Sequence, residues 1–589
     1  MGVYISLKIL PDRISPDEWA TFYDETVQFL KNSDLRLIGP GKERIKLPQG
    51  EFERTIYSQT FEQVENGKHF WHICGDLTFY GMGESFHLYR DLNHYQDRYL
   101  FVRDADKDPV SAMDLHYDIV ENVLREQLHE TEHVEGDPPA TTGRKQDKYG
   151  SLSAMARVFD EKTQGHPFHY YMLGVGMLAE DRFPSSAFVS GDIDRFQAEK
   201  ARDKIRTILK RDVNLPLCAN PDALLKRVML YYEGIAAVKA FDCLLRDDDP
   251  LQDASQMHRI VIRHLGRQVY EHWFLERLKQ YETPNKLGAK DIMMEWLNSG
   301  EPLETLLRLA CIHKDGPLYA PVCTAESLVN LWLTIEPEKR NAWQAFSRPP
   351  GAADTVAGRF GAILLDVFLG AKGRNLKVYI PEDVLIQTFG RIFPQEESAV
   401  SEMVLRVTRE LEETHAQIEK PLAEKLRQVQ EEPGVLDGVP ILQLADTASI
   451  TEEQRDWLAH FAYMLSFQLS VIKDGENEIE NLFFNDRNYD DLYTQFVLAT
   501  DKYGPYLTDQ AWQWIDDEQD LDLLTTLTML SLINKSEQKF YHTKKAVMEK
   551  KWLCDLVTKL RMDTKEMNKI KIRVDDEAQI KAKQTREKA

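Results

Sequence analysis

The sequence predicts an α+β N-terminal region, mostly antiparallel sheet with helices, followed by a large non-repeating all-α region, so that helix dominates overall. Three observations lead there. Alternating and hairpin patterns fall in roughly the first hundred residues and in one short central stretch. From Pro221 onward apolar residues recur at helical spacing, between connections rich in Gly, Pro, Asp and Asn. No shared signature returns at an interval of about 30 to 50 residues, which argues against a regular solenoid.

The elements follow in order. Val3, Ile5, Leu7 and Ile9 alternate with Tyr4, Ser6 and Lys8, the pattern of a strand with one apolar face. Ser15-Pro16-Asp17-Glu18 opens a helix with a cap, a proline at the first position and an acid for a capping box. Trp19, Phe22, Tyr23, Val27 and Leu30 line its apolar side. Arg54 to Val64 and Lys68 to Cys74 flank Asn66-Gly67, a hairpin signal because both residues tolerate positive φ. Further β structure is expected at Asp76 to Tyr80 and Phe86 to Tyr89. Ser111 to His133 is an amphipathic helix, and Glu135 to Gly150, with Pro138-Pro139, is a linker or mobile loop.

The sharpest local pattern runs from Tyr170 to Val228. Tyr170 to Leu178, with Gly174 and Gly176, and Ala187 to Ile193 are apolar runs short enough to be buried strands. Asp194 then caps a helix, with Gln197 as its reciprocal partner, and Phe196, Ala201, Ile205, Ile208 and Leu209 share a face. Asn220-Pro221 starts the helical series. Its members include Ala223 to Leu245, Ala254 to Tyr281, Glu382 to Ile392, Ala399 to Gln430, Glu452 to Ile472, Asp490 to Tyr503 and Leu521 to Ile533. A strand is expected at Leu376 to Tyr379. The resulting division is 1–135, an α+β domain; 136–150, the linker; 151–220, a central strand–turn–helix segment completing the α/β part; 221–535, a helical domain; and 536–589, a helical, basic C-terminal tail.

Composition bounds the function. The 589 residues carry 96 Asp and Glu against 73 Lys and Arg, a formal net charge of −23, which argues against a general nucleic-acid-binding surface and suits a basic partner. No apolar run follows Met1 and no long uninterrupted apolar stretch occurs, so the expectation is a soluble cytoplasmic protein with no membrane association. The six cysteines are far apart and read as free core thiols. The tail is the basic exception: Lys544-Lys545, Lys550-Lys551 and Lys569-Ile570-Lys571 read as a solvated helix face, or as a dock for nucleic acid.

The candidate binding residues are Gly191, Asp192 and Asp194, at the turn between a strand and a helix. Such a turn offers free backbone amides to an anion, and two carboxylates to a divalent metal. Helix capping by Asp194 is the plainer account. Other constellations are weaker. Glu126-x-x-His129 and Glu412-x-x-His415 match half of a di-iron motif but have charged flanks, and Cys311, His313 and Cys323 lack a clear fourth ligand. There is no Gly-x-Ser-x-Gly elbow and no phosphate-binding loop. The expectation is a non-catalytic cytosolic interaction protein, without cofactor, binding another protein with a basic surface in a protective or immunity-type role. The alternative is a metal-dependent phosphate-handling enzyme that holds a divalent cation at the Ser190–Asp194 turn.

Overall fold

The computed structural model describes residues 3–48, 50–77, 82–95, 118–124, 155–246, 254–340, 376–413, 450–473, 483, 487–504, 507–533 and 538–573. Its strands are β1 (Tyr4–Ile9), β2 (Leu37–Leu47), β3 (Gly50–Ser58), β4 (Glu62–Glu65), β5 (Lys68–Asp76), β6 (Met82–Tyr89), β7 (Ala156–Lys162) and β8 (Ala187–Gly191). Many helices follow, so the chain is α+β and helix-dominated, as the sequence predicts. It divides into two compact units, each discontinuous in sequence. One holds Met1–Asp34, Val64–Trp71 and Met82–Gln428; the other holds Leu35–Gln63, His72–Gly81 and Val429–Ala589.

In the first unit β1 is the middle strand of an antiparallel sheet in the order β7-β1-β8. Because β1 is paired on both edges, Ser6 is buried along with Ile5, Leu7 and Ile9. Helix α1 (Pro16–Lys31) buries Trp19, Phe22, Tyr23 and Leu30 as expected, but the Ser15 side chain makes no capping hydrogen bond. The predicted strand at Tyr170 to Leu178 is instead part of α2 (His169–Arg182). The helix is buried on nearly every side, so no polar face reveals its period, and a short apolar run of this kind reads equally as strand. Its glycines allow close packing: a Cβ at Gly176 would lie 2.5 Å from Val189 of β8, and one at Gly174 would lie 2.7 Å from Phe29 of α1. Helix α3 (Arg195–Leu209) follows β8, with Gln197, Ala198, Ala201 and Ile205 buried.

The helices of this unit continue as α4 (Pro221–Val228), α5 (Gly234–Arg246), α6 (Ala254–Leu265), α7 (Arg267–Leu278), α8 (Leu287–Asn298), α9 (Leu303–Cys311), α10 (Pro321–Asn330) and α11 (Glu382–Ile392). Two predicted long helices are each broken in two. Ala254 to Tyr281 is interrupted at Gly266, whose φ of +90° lies outside the helical region. Ala223 to Leu245 is interrupted between α4 and α5. Trp273, Phe274, Trp296 and Phe241 sit in the core they enclose. The predicted strand at Leu376 to Tyr379 is not one. Side chains rather than a neighbouring strand hold this segment: Arg340 donates to the carbonyls of Leu376 (2.8 Å) and Val378 (3.1 Å), and Asn298 accepts from the Lys377 amide (2.7 Å).

In the second unit the β2–β3 hairpin pairs from Gly39↔Ser58 to Leu47↔Gly50, and β2 also pairs the end of β5 at Leu37↔Asp76. Ile45, Leu47, Phe52 and Ile56 pack against a core built by α12 (Glu452–Lys473), α13 (Tyr489–Tyr503), α14 (Asp509–Asp516), α15 (Leu521–Leu532), α16 (Gln538–Glu549) and α17 (Lys551–Met562). Asn66 (φ 51°) and Gly67 (φ +78°) form the turn between β4 and β5 that their residue types require. Most of Ser111 to His133, the expected linker, and the distal half of Ala399 to Gln430 lie outside the described residues. Among the described residues no helix is long and apolar enough to cross a membrane.

Candidate functional site

The turn after β8 is built by long-range pairing. Gly191 has a φ of +126°, and a Cβ there would lie 2.5 Å from the Tyr4 carbonyl. This close approach lets the Asp192 amide donate to Tyr4 O (3.1 Å) while Asp192 Oδ2 accepts from the Tyr4 amide (2.9 Å). Asp192 therefore closes the β1–β8 ladder, and burial raises its carboxyl above the ordinary range. Asp194 forms the capping box its sequence predicts: Oδ1 accepts from the Gln197 amide and Gln197 Oε1 accepts from the Asp194 amide, both at 2.8 Å. The three candidate residues are neighbours, but each carboxylate is engaged by a different backbone amide. Among the described residues, no three or more His, Cys, Asp or Glu side chains are grouped to hold a metal ion.

One histidine does meet this turn. His169 is fully buried, with Nδ1 2.8 Å from Thr163 Oγ1 and Gln197 of the capping box as a further partner. Burial pushes its imidazole down to about 3, so it is neutral at physiological pH. His166 does not join it and stacks on Phe168. The other constellations disperse. Cys311 contacts Thr324 (3.4 Å), His313 Nδ1 accepts from the Asp315 amide, and Cys323 is exposed. All six cysteines are free. Glu126, His129 and His415 lie outside the described residues.

Beside the turn lies a pair of acids with no local sequence signal. Tyr4 pairs in register with Lys162, and Ile5 with Glu161. Glu84 of β6 accepts from the Lys162 amide (2.8 Å) and approaches Lys162 Nζ (3.5 Å). Burial first, and then the Glu84 carboxylate, push the Glu161 carboxyl up to about 7. A folded-state pKa above the ordinary 4.5 stabilises the fold below that value, and the contribution is lost as pH rises through about 7. The expected result is a larger gap in urea midpoint between about pH 5 and pH 8 for the parent than for Glu161→Gln. Equal gaps would mean that Glu161 does not titrate there.

The structure corrects one part of the basic tail: Lys544 and Lys545 are buried, not solvated, while Lys551, Lys569 and Lys571 are exposed as expected. Lys544 Nζ donates to the Ile533 carbonyl (3.1 Å), and burial pushes its ammonium down to about 8. Lys551 is paired with Glu518 at 2.5 Å. The same unit also carries an acid-rich stretch. From Tyr489 to Asp522 the chain carries nine Asp or Glu and one Lys. Arg54, Lys551 and Arg487 pair with Asp516, Glu518 and Asp522. Asp490, Asp491, Asp501, Asp509, Asp517 and Asp520 are exposed, and among the described residues none of the six forms an ion pair. The acid-rich run was visible in the sequence; which of its members are uncompensated was not.

No family model, no curated protein and no solved structure matches the chain.

Proposed function

We propose that the chain is a non-catalytic, cytoplasmic interaction protein that holds a partner protein with a basic surface, in a protective or immunity-type role. The observation that carries this reading is the set of six exposed carboxylates between Asp490 and Asp520, none of which forms an ion pair among the described residues. Uncompensated charge of one sign speeds encounter with an oppositely charged partner and disfavours neutral ones. Asp192 Oδ2 and Asp194 Oδ1 each accept a backbone amide, which gives both carboxylates a structural role in closing a ladder and capping a helix and so supports the same reading.

Capture of partners from the native cell extract on the immobilised protein tests it. Raising salt from about 0.1 M to 1 M shortens the screening length from about 10 Å to about 3 Å, and the partner is expected to elute across that range. A variant with Asn at all six positions is expected to bind it at least about tenfold more weakly at the lower salt. A partner held equally by the variant and through 1 M salt would remove charge complementarity as the basis. Stoichiometric divalent metal in the purified protein, lost on Asp192→Asn, would favour the enzyme.

A further inference from the structure

One stretch of the second unit carries a charge opposite to the chain's. From Lys559 to Arg573 there are six Lys or Arg and two Asp or Glu, in a protein whose net charge is −23. Residues 564–573 are helical. Ile570, fully buried, and Met567 turn the inner face of this helix into the unit's core. The outer face is thereby fixed: Lys565, Lys569 and Ile572 recur at i, i+4 and i+7, and all three are exposed. We infer that this face docks on an anionic lipid surface, its lysines meeting the headgroups and its apolar side chains entering the interface.

Three large apolar side chains point to lipid. Ile572 is 62% exposed, Met562 56% and Phe467 55%. Phe467 and Met562 belong to one junction. Ser466 Oγ of α12 lies 3.5 Å from the Arg561 carbonyl oxygen at the end of α17 and 3.9 Å from Met567 Sδ. Phe467 and Met562 each follow one of these residues in the chain. Arg573, paired with Asp456 at 2.9 Å, ties the other end of the helix to the first turns of α12. The face therefore runs beside α12, with apolar groups at both ends and lysines between them. A polyphosphate backbone would engage the lysines and leave Ile572, Met562 and Phe467 in water. A lipid interface takes both kinds of side chain.

The charges on the face agree with an anionic surface. Lys559, Lys565 and Lys571 are exposed, and among the described residues none of the three forms an ion pair. Of the two opposing acids, Glu566 is paired with Lys569 at 3.2 Å. Asp563 accepts from the amides of Lys565 (2.9 Å) and Glu566 (3.1 Å) at the start of the helix. At about 0.1 M salt, charges more than about 10 Å away are largely screened, so the lysines of the face itself weigh most at contact. Neither the apolar nor the electrostatic contribution is large alone, so the attachment is reversible and salt-sensitive. A face that lies on a membrane needs no spanning stretch, so the lack of one among the described helices does not bear on it.

Co-sedimentation of the full chain with lipid vesicles tests the assignment. Phosphatidylcholine vesicles with about 30% phosphatidylserine are expected to bind it at about 0.1 M salt, and pure phosphatidylcholine vesicles at least about tenfold more weakly. Met562→Ser with Ile572→Ser removes apolar groups, and Lys565→Gln with Lys571→Gln removes charge. All four residues are exposed, so the urea midpoint is expected to stay that of the parent. Each double variant is expected to attach to the anionic vesicles about fivefold more weakly, or worse. No attachment of the parent to anionic vesicles would overturn the assignment, as would attachment that the Met562, Ile572 variant leaves unchanged. A DNA duplex that displaces the vesicles, and that this variant holds as tightly as the parent, would make the face a nucleic-acid surface instead. The six exposed carboxylates lie outside this face, so failure here leaves the partner-binding reading standing.

Discussion

An Arg54→Met variant is expected to lose about 2 to 4 kcal/mol of folding stability, measured as a lower urea midpoint at constant slope. Arg54 projects from β3, only 4% exposed, into the second unit's helices. It donates to Glu43 through Nε (2.9 Å) and Nη2 (2.7 Å), and to Asp516 through Nη1 (2.7 Å) and Nη2 (2.6 Å). Nη1 also reaches the Tyr493 hydroxyl (3.1 Å), and the guanidinium lies 4.3 Å from the Trp512 ring centroid. Burial alone would lower its pKa, but the hydrogen-bonded carboxylates of Asp516 and Glu43 more than reverse this and hold it above the usual range. The group is therefore a permanent cation on which hairpin and helices converge.

The size of the loss follows from what methionine leaves behind. Removing one partner of a buried pair costs about 3 to 5 kcal/mol when the other charge stays dry. Here the carboxylates of Glu43 and Asp516 are 47% and 36% exposed, so water can recover part of their solvation. Methionine also keeps apolar contact with Trp512. Both effects pull the figure below the upper limit. Arg54→Lys separates geometry from charge, because an ammonium cannot make the paired contacts of a fork. Lysine is expected to resemble methionine more than arginine. A loss under about 1 kcal/mol in both variants would show that the network is no stronger than a surface ion pair.

How far the sequence reaches is clearest where one region is compared with another. The start of α3 is legible because its cap, its capping-box partner and its apolar stripe all lie within a few residues and agree. Helix α11 is predicted at the same bounds, Glu382–Ile392, since a proline precedes it and its amphipathic face is distinct. Helix α2 is misread for the opposite reason: buried all round, it has no polar face to set its period. The β2 strand has no apolar alternation, being LIGPGKERIKL with its central charges exposed, and its association with helices beyond residue 450 leaves no local trace.

The candidate turn shows the same limit. Gly191, Asp192 and Asp194 are identifiable as a turn, because glycine and acid residues at a strand end have few other uses. What Asp192 does depends on Tyr4, 188 residues away, and becomes visible only when β1 pairs with β8. Glu161 and Glu84 are brought together by two strands far apart in the chain. Lys544-Lys545 misleads more sharply. Two adjacent lysines read as solvent-facing by composition, yet both are enclosed once α16 packs into its unit.

Lys545→Met is expected to destabilise the protein by about 3 to 5 kcal/mol, and adding Asp76→Asn to recover at least half of that loss. Lys545 is 1% exposed, and Asp76 is fully buried. Burial lowers the Lys545 pKa, and Glu549, then Cys74 and last Asp76 act against that fall. Glu549 is in turn engaged by Thr508, accepting from its hydroxyl (2.6 Å) and its amide (3.2 Å). Removing the ammonium takes a compensating charge from the fully buried Asp76 carboxylate, which water reaches less than the acids around Arg54, and so the larger figure applies. Replacing Asp76 by its neutral isostere removes that buried charge, so the double variant tests whether the cost is electrostatic or lies in packing. Losses that simply add would place it in packing. The pH dependence supplies an independent check. A lysine whose folded pKa lies below 10.5 makes stability rise with pH between those two values, because the unfolded chain then binds more protons. Lys544, whose ammonium burial also lowers, contributes to the same rise, so the rise is expected to be smaller in both Lys545→Met chains than in the parent; a rise as large as the parent's would show that Lys545 does not contribute.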